Sequence, residues 1–309
     1  MTGNFVSESV GSDGSGQQGR LASGVPGLDE HLGGGYLPGT LIAVVGATGI
    51  GKTQLGLHFV HGVTCAEPPG VILDLTARGD SQNHVQYAKR MFGQDLGRAD
   101  GEAILARQLF ERPPGGRYIH AFSYSGRRVT RDAVDWEQWH QWQAEINRRL
   151  STVSAFLYGH FVHGVRRAVF DGIEPVERAS ESIQHYLLEY VYHQVVRKES
   201  DWVARDILRQ DFLQCQELVR RHAYPAGRIT CMALITSKES YLEDLVRRPL
   251  EEGDLLSNAA TLIYMGKVRD GSRLRRALYI AKHRGSACSD EWLFYCIGEG
   301  GLFLEEAGQ

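Results

Sequence analysis

The hydrophobic positions of this chain form short continuous runs that alternate with longer stretches of helical periodicity. The continuous runs predict strands buried on both faces of a sheet. They are residues 40–45, 71–75, 165–170 and 229–236. The periodic stretches place apolar side chains three or four positions apart and predict helices. They are residues 52–63, 81–92 and 132–161. Strands alternating with helices predict an α/β fold with a mainly parallel central sheet flanked by helices.

The two ends of the chain depart from this pattern. Residues 1–19 are mostly Gly, Ser, Gln and acidic residues, which cannot bury enough apolar surface to fold, so we expect a disordered tail. Late apolar runs predict a group of C-terminal antiparallel strands. They are residues 259–265, 276–281, 292–297 and 301–304. We therefore expect residues 20–309 to form one domain.

Two stretches are longer than a minimal strand–helix–strand unit needs, and we expect helical insertions at about 95–165 and 180–225. The first also holds a candidate strand at 118–124. The second lies in the interval from Asp171 to Ile229, which exceeds one crossover helix and predicts one or two long amphipathic helices within 176–222.

Composition narrows the functional classes. The 309 residues include 34 basic and 37 acidic side chains, a net charge of −3, which disfavours a protein whose whole surface binds nucleic acid. The five Cys are dispersed with no CxxC pair, which indicates neither a disulfide framework nor a zinc site. No apolar run approaches the ~18 residues of a membrane span. We expect a soluble cytoplasmic protein with no membrane partner.

The strongest chemical motif lies between the first predicted strand and the first predicted helix. Gly46-Ala-Thr-Gly-Ile-Gly-Lys-Thr53 matches the phosphate-binding pattern G-x-x-x-x-G-K-[ST] in the strand–loop–helix context that this pattern requires. Its glycines let successive backbone N–H groups turn towards phosphate oxygens, and the helix N-terminus adds positive potential. We predict ATP and Mg²⁺ as ligands. The candidate nucleotide-binding residues are Gly46, Ala47, Thr48, Gly49, Ile50, Gly51, Lys52, Thr53 and Gln54.

A magnesium site needs an acidic anchor besides the hydroxyl of Thr53. Asp171 ends the apolar run Arg166-Arg-Ala-Val-Phe-Asp171, which is the Walker B pattern, and we predict that it holds the water shell of Mg²⁺. A carboxylate at a strand end is also a common helix cap, so the pairing with the phosphate loop is what favours the metal role.

Segments at both ends of the chain resemble KaiC-like ATPases of the RecA superfamily. The opening residues that carry the resemblance are Arg20 to Gly35, Leu37-Pro-Gly-Thr40 and the phosphate loop. The closing ones are Asn258 to Tyr264, Arg275-Arg276, Lys282-His-Arg-Gly-Ser286 and Gly301-Leu-Phe303. The resemblance is weak across roughly 95–165 and 180–225.

This resemblance implies a RecA-like P-loop NTPase core with ATP bound between the subunits of a homo-oligomer, often a hexameric ring. It also implies that Lys282 and Arg284 reach the γ-phosphate of the neighbouring subunit. A cation supplied from the neighbour would stabilise negative charge on the transferring phosphoryl group. A solvated basic turn is the alternative for these two residues.

One position departs from the family. RecA-type enzymes carry a carboxylate just after the second strand to orient the attacking water, and KaiC-like proteins usually have two Glu there. This chain reads Val71-Ile-Leu-Asp-Leu-Thr-Ala-Arg-Gly-Asp80. If Asp74 lies within the strand, Thr76 stands near the expected carboxylate, while Asp80 could serve if the loop folds back. We therefore predict ATP binding with only slow hydrolysis, with Lys52, Asp80, Lys282 and Arg284 as the candidate catalytic residues.

Three further features leave alternatives open. Arg127, Arg128 and Arg131 form a candidate basic patch for nucleic acid, but paired arginines throughout the chain favour ordinary surface charge. The row Trp136, Trp139 and Trp142 suggests a core or subunit-interface stripe rather than base stacking. The segment Thr236-Ser-Lys-Glu239 stands either at a γ-phosphate sensor position or at a helix N-cap formed by Ser237.

Three functions remain in competition. The first is a slow Mg-dependent ATPase whose conformational change is passed to a signalling or assembly partner. The second is a non-hydrolysing, nucleotide-gated assembly or signalling module, which the missing Glu favours. The third is a DNA-repair or recombination ATPase, in which nucleic acid is a partner that the sequence does not favour.

Overall fold

The computed structural model of the chain describes residues 19–62, 67–76, 83–99, 107–122, 135–174, 182–247 and 255–305. In these residues nine strands form a single sheet. The strands are β1 (Leu41–Gly46), β2 (Val71–Asp74), β3 (Tyr118–His120), β4 (Arg167–Ile173), β5 (Thr230–Thr236), β6 (Thr261–Asp270), β7 (Arg273–His283), β8 (Leu293–Gly298) and β9 (Gly301–Leu304).

The sheet combines a parallel part with an antiparallel edge. Its spatial order is β3-β2-β4-β5-β1-β6-β7-β8-β9. The first six strands of this order pair in parallel, and β7, β8 and β9 continue the sheet in antiparallel pairs. The predicted α/β class, the mainly parallel sheet and the antiparallel C-terminal strands are confirmed.

Helices cover both faces of the sheet. They are α1 (Leu28–His31), α2 (Lys52–His61), α3 (His84–Phe92), α4 (Gln108–Glu111), α5 (Trp136–Val162), α6 (Ile183–Val191), α7 (Ser200–Leu208), α8 (Phe212–Arg221), α9 (Leu242–Arg247) and α10 (Leu255–Asn258). None of the helices in the described ranges is long and apolar enough to cross a bilayer.

Strand β1 explains why the parallel strands read as continuous apolar runs. Its side chains alternate between two hydrophobic cores, with Leu41, Ala43 and Val45 on one face and Ile42 and Val44 on the other. Both faces of the strand are therefore buried, which is the pattern of a parallel sheet covered by helices. This strand carries the phosphate loop at its carboxyl end, in the middle of the sheet.

Helix α2 lies against the sheet at very short range. A Cβ placed on Gly56 would come within 2.9 Å of a Leu234 methyl and 3.1 Å of a Val169 methyl. The absence of a side chain at Gly56 thus lets the helix that follows the phosphate loop approach strands β4 and β5 closely. This contact fixes the direction of the helix N-terminus relative to the strand ends.

Several predicted boundaries were wrong in detail. The strand predicted at 118–124 is β3, which ends at His120. The one or two long helices predicted within 176–222 are three shorter ones, α6 to α8. A π-helical turn over Tyr192–Val196 follows α6, and Arg209 separates α7 from α8 with a φ of 49°. Hydrophobic periodicity continued across these breaks, so the pattern did not reveal them.

The two described members of the tryptophan row differ in burial, which does not favour the core alternative and leaves the subunit-interface alternative as a prediction. Trp136 is 74% exposed in the single chain, whereas Trp139 packs partly against the core; nothing is described for the side chain of Trp142. The expected tail at 1–19 falls outside the described residues up to position 18. Of the five cysteines, Cys215, Cys231, Cys288 and Cys296 lie in the described residues, and each has a free thiol.

A buried histidine in α5 predicts acid sensitivity. The Nε2–H of His160 donates to the Gly116 carbonyl at 3.0 Å, and burial lowers the pKa of His160 to about 4 from an ordinary 6.5. The unfolded chain then binds more protons than the folded one between these two values. Stability therefore rises with pH across this window and is lost as pH falls through it, by roughly 3 kcal/mol.

We expect His160→Gln to flatten the dependence of unfolding free energy on pH between about 4 and 6.5, because a Gln amide can still donate to Gly116 but does not titrate. Urea unfolding at a series of pH values measures this slope. The exposed His193→Gln variant is the matched control, and equal slopes in the two variants would refute the assignment.

Candidate functional site

The phosphate loop connects β1 to α2 and has the backbone geometry that its sequence predicts. Gly49 and Gly51 adopt φ values of 77° and 115°, in the left-handed region that favours glycine. A Cβ at Gly46 would meet the Met265 carbonyl oxygen at 2.3 Å, and one at Gly51 would meet an Ile297 methyl at 2.9 Å. No described atom lies within 4 Å of a Cβ built on Gly49, so the loop is open there. Close packing therefore favours glycine at Gly46 and Gly51, and the backbone conformation favours it at Gly49 and Gly51.

The antiparallel edge of the sheet supports this loop from outside. The buried Tyr295 hydroxyl in β8 donates to the Ile50 carbonyl at 2.7 Å. The Leu302 amide in β9 donates to His58 Nε2 in α2 at 3.0 Å. The C-terminal strands therefore hold both the loop and the helix that follows it.

Lys52 is folded back onto the loop. Its ammonium donates to the Gly46 and Ala47 carbonyls at 2.8 and 2.9 Å, and the residue is 7% exposed. Burial lowers the pKa of Lys52 to about 8, and the charge of Asp171 partly opposes this shift. Both of its hydrogen-bond partners in the described residues are neutral carbonyls, so an anionic ligand such as phosphate would neutralise the buried charge.

Thr53 and Asp171 meet at the ends of α2 and β4. The Thr53 hydroxyl donates to Asp171 Oδ2 at 2.8 Å, and the Gly172 amide donates to Asp171 Oδ1 at 2.7 Å. Burial alone would raise the pKa of Asp171, but hydrogen bonds from His84 and Thr53 and the charge of Lys52 lower it overall. Asp171 is therefore an anion beside the hydroxyl expected to bind a metal.

The donors around this pair fit Mg²⁺ better than a softer metal. Among the described residues no three His, Cys, Asp or Glu side chains are grouped as a metal cluster. Mg²⁺ in nucleotide sites uses one or two protein oxygens together with phosphate oxygens and water. One Thr hydroxyl and one carboxylate next to a phosphate loop correspond to that donor set. Gln54 adds a buried Oε1 with no hydrogen-bond partner in the described part of the chain.

The position after β2 has no free carboxylate in the described residues. Asp74 is the last residue of β2, as the sequence argument supposed, and pairs in register with Asp171. The Thr76 hydroxyl and the Thr76 amide both donate to Asp74 Oδ1. The Tyr118 hydroxyl donates to Asp74 Oδ2 at 2.7 Å. Asp80, the other candidate, lies outside the described residues.

Lys282 and Arg284 lie at the opposite end of the sheet from the phosphate loop. Gly46 pairs with Met265 of β6, whereas Lys282 pairs with Leu262, three residues or about 10 Å down the strand. The Lys282 ammonium donates to the Ser257 carbonyl at 2.8 Å, still farther from the loop. Arg284 is exposed in the turn that follows β7. Neither residue joins the phosphate loop of its own chain.

The segment after β5 lies directly beside the phosphate loop. The Ser237 amide donates to the Gly46 carbonyl at 3.0 Å, and the Ser237 hydroxyl contacts the Glu239 carboxylate. The alternative prediction of a helix N-cap at Ser237 was wrong, because α9 begins only at Leu242. The proximity leaves the sensor role for Thr236–Glu239 as a prediction.

Comparisons with known proteins match the N-terminal part of the chain, which contains the phosphate loop. A family model described as "ATPase: KaiC" matches residues 21–115. Residues 21–115, which include the phosphate loop, are thus similar to KaiC-like P-loop ATPases of the RecA superfamily. A circadian clock oscillator protein KaiC of Prochlorococcus marinus strain MIT 9313 is 54% identical over 42 residues, which cover 14% of this chain and 8% of the relative.

Two further KaiC relatives show how far the similarity extends. That of P. marinus strain SARG is 51% identical over 42 residues, again 14% of this chain and 8% of the relative. That of P. marinus subsp. pastoris is 31% identical over 86 residues, or 28% of this chain and 16% of the relative. The chain thus matches only a small part of these relatives. The circadian clock role that their names give belongs to those proteins.

The KaiC-like match includes Lys52 and Thr53 but ends before Asp171, Lys282 and Arg284. The metal role of Asp171 therefore rests on its contacts in the structure, and the role of Lys282 and Arg284 rests on the resemblance alone. Both roles remain predictions. Sequence reasoning also missed His84, the first residue of α3, which contacts Asp171. The available signal was a polar residue at the start of the helix that follows the second strand. The sequence does not show that this residue contacts β4, because the contact forms only in the tertiary structure.

Proposed function

We propose that this KaiC-like chain binds Mg-ATP at the phosphate loop, at interfaces between its own subunits, and hydrolyses it slowly. The observation that carries the proposal is the joint placement of Lys52, Thr53 and Asp171 at the carboxyl ends of β1 and β4. Ligand sites of open α/β sheets occur at this edge. A conformational change coupled to this hydrolysis would be passed to a signalling or assembly partner in the cytoplasm.

Each of these side chains would do a distinct part of the binding. Lys52 would exchange its two loop carbonyls for β- and γ-phosphate oxygens, and that exchange relieves the electrostatic cost of a buried ammonium. Thr53 and Asp171 would hold Mg²⁺, the former directly and the latter through water. When bound, Mg²⁺ neutralises charge on the phosphate oxygens. The backbone N–H groups of residues 47–53 would bind the remaining oxygens.

The KaiC-like resemblance supports a site that Lys282 and Arg284 of a neighbouring subunit complete. Both residues lie at the far end of β7 from the phosphate loop of their own chain, so only a neighbouring chain, as in a head-to-tail ring, could bring them to a nucleotide. We therefore propose a homo-oligomer in which each nucleotide contacts two chains. A hexameric ring is the form that the KaiC-like resemblance implies.

The second candidate is a non-hydrolysing nucleotide-gated assembly module. It is favoured by Thr76, which stands where a water-orienting carboxylate is expected and donates its hydroxyl to Asp74. Asp74 cannot replace that carboxylate easily, since Tyr118 and Thr76 occupy its oxygens. Both candidates bind Mg-ATP, and they differ in whether phosphate is released.

A DNA-repair role gains little support from the described arginines. Arg167 donates to the carbonyls of Ala22 and Phe59, and Arg275 is paired with Asp270 and Glu305. These two side chains are held by contacts within the chain and do not add to a basic surface that could bind nucleic acid. The candidate patch of Arg127, Arg128 and Arg131 lies outside the described residues.

Phosphate release by the purified chain tests the proposal. We expect Mg-ATP binding with turnover at least tenfold below the ~10 s⁻¹ median of enzymes, abolished in Asp171→Asn and unchanged by DNA. Stoichiometric binding with no release would select the second candidate. Failure of the chain to bind ATP would contradict both, and DNA-stimulated turnover would favour the repair alternative.

A further inference from the structure

His84 lies between two buried carboxylates beside the phosphate loop. It is the first residue of α3, whose start is capped by the Asn83 side chain accepting from the Gln86 amide. The His84 Nε2 atom is 2.9 Å from Asp171 Oδ2, and Nδ1 is 3.7 Å from Asp74 Oδ2. The histidine is 2% exposed. These two contacts restrict the imidazole to one orientation between the ends of β2 and β4.

Asp74 on the far side of His84 is itself immobilised. It accepts hydrogen bonds from the Tyr118 hydroxyl at 2.7 Å, from the Thr76 amide at 2.9 Å and from the Thr76 hydroxyl. The Tyr118 ring also packs against the imidazole, with ring centroids 5.2 Å apart. Asp74 and Tyr118 therefore fix the orientation of the histidine. They do not orient an attacking water molecule.

Asp171 receives His84 on the same oxygen as Thr53. Asp171 is an anion and can only accept, so the His84 Nε2 must be the donor in this contact. Oδ2 then accepts from Thr53 and His84, while Oδ1 accepts from the Gly172 amide. These three donors leave the carboxylate little freedom to rotate.

We propose that His84, oriented by Asp74 and Tyr118, is a positioning residue that holds Asp171 in the rotamer needed for the Mg²⁺ of a bound Mg-nucleotide. The proposal rests on the proposed function, because it concerns the metal of the same site. Mg²⁺ demands near-ideal octahedral geometry, so freedom in an anchoring carboxylate weakens binding. Loss of outer-shell partners at metal sites typically costs 10–100-fold in metal affinity.

The test measures Mg²⁺ dependence separately from nucleotide binding. Full-length chain is titrated with a fluorescent ATP analogue at a series of free Mg²⁺ concentrations and in EDTA. We expect His84→Ala to raise the Mg²⁺ concentration for half-maximal effect about tenfold, with unchanged affinity in EDTA. His84→Gln should restore the wild-type value, because its amide nitrogen can occupy the place of Nε2 and donate to Asp171.

Other outcomes have equally definite meanings. If His84→Ala binds Mg²⁺ as well as or better than the wild type, or if His84→Gln is as impaired as His84→Ala, the positioning role is wrong. Tyr118→Phe keeps the ring and removes only the hydroxyl on Asp74, so it tests the same chain of contacts should His84→Ala fail to fold. It should shift the Mg²⁺ requirement in the same direction, and no shift would refute the proposal.

The wild type separates this inference from the function on which it rests. Wild-type chain that binds no ATP at any Mg²⁺ concentration would overturn both. Wild-type chain that binds Mg-ATP normally, with His84 variants unaltered, would leave the proposed function standing and remove only the role of His84.

Discussion

Lys52→Met should abolish tight ATP binding while leaving the fold intact. In the structure the ammonium donates to two loop carbonyls at 2.8 and 2.9 Å, and within the described ranges no carboxylate is in hydrogen-bond contact with it, so a phosphate ligand would supply its counter-charge. Loss of two charge-assisted hydrogen bonds costs about 3 kcal/mol, or about 100-fold in affinity. Equilibrium titration with a fluorescent ATP analogue measures the change.

The stability of the Lys52→Met variant should change little without nucleotide. Met keeps the apolar stem in place and removes a buried ammonium whose pKa burial has lowered to about 8. Removing that desolvation penalty offsets the loss of hydrogen bonds to the loop, so we expect a melting temperature within a few degrees of wild type. The exposed Lys89→Met is the matched control. Unimpaired ATP binding by Lys52→Met would place the nucleotide elsewhere.

The double variant Lys282→Ala/Arg284→Ala should retain ATP binding by the single chain and lose turnover. These residues lie at the far end of β7 and cannot contact the loop of their own chain. A cation supplied from a neighbour is worth 10³–10⁵ in phosphoryl-transfer rate, so phosphate release should fall by about 10³. Lys89→Ala/Arg90→Ala, an exposed pair of equal charge, is the control.

Mixing the two defective proteins distinguishes neighbouring chains from a single chain. Lys52→Met supplies intact cations and the double variant supplies an intact loop, so a mixed interface can contain one complete site. At a protein concentration at which sedimentation shows that the two variants co-assemble, equal amounts should restore about a quarter of wild-type phosphate release. A mixture no more active than its components would show that Lys282 and Arg284 do not act between subunits.

The local part of the site could be predicted from sequence because its chemistry is contiguous. Gly46 to Thr53 lie in one loop, and their order fixes a strand, a turn with left-handed glycines and a helix start. The buried strands were equally accessible, since a sheet covered on both faces needs continuous apolar runs. Asp171 could be proposed because an apolar run ending in a carboxylate is itself a pattern, although β4 continues two residues further, to Ile173.

The rest depended on contacts between distant segments. His84 lies ten residues after Asp74, the last residue of β2, yet it contacts a carboxylate on β4, and no local pattern specifies that contact. The support of Ile50 by Tyr295 joins the two ends of the domain in the same way. The helix break at Arg209, where φ is 49°, interrupts a stretch whose periodic apolar positions gave no sign of it.

The mass of the assembly with and without Mg-ATP tests most directly the central claim that nucleotide binds between subunits. Sedimentation velocity at a fixed protein concentration compares the wild type, Lys52→Met and Lys282→Ala/Arg284→Ala. We predict that Mg-ATP shifts the wild type to a closed multiple of the 34.4 kDa chain and shifts neither variant as far. Wild-type chain that binds one ATP and sediments unchanged as a 34.4 kDa monomer would contradict the claim.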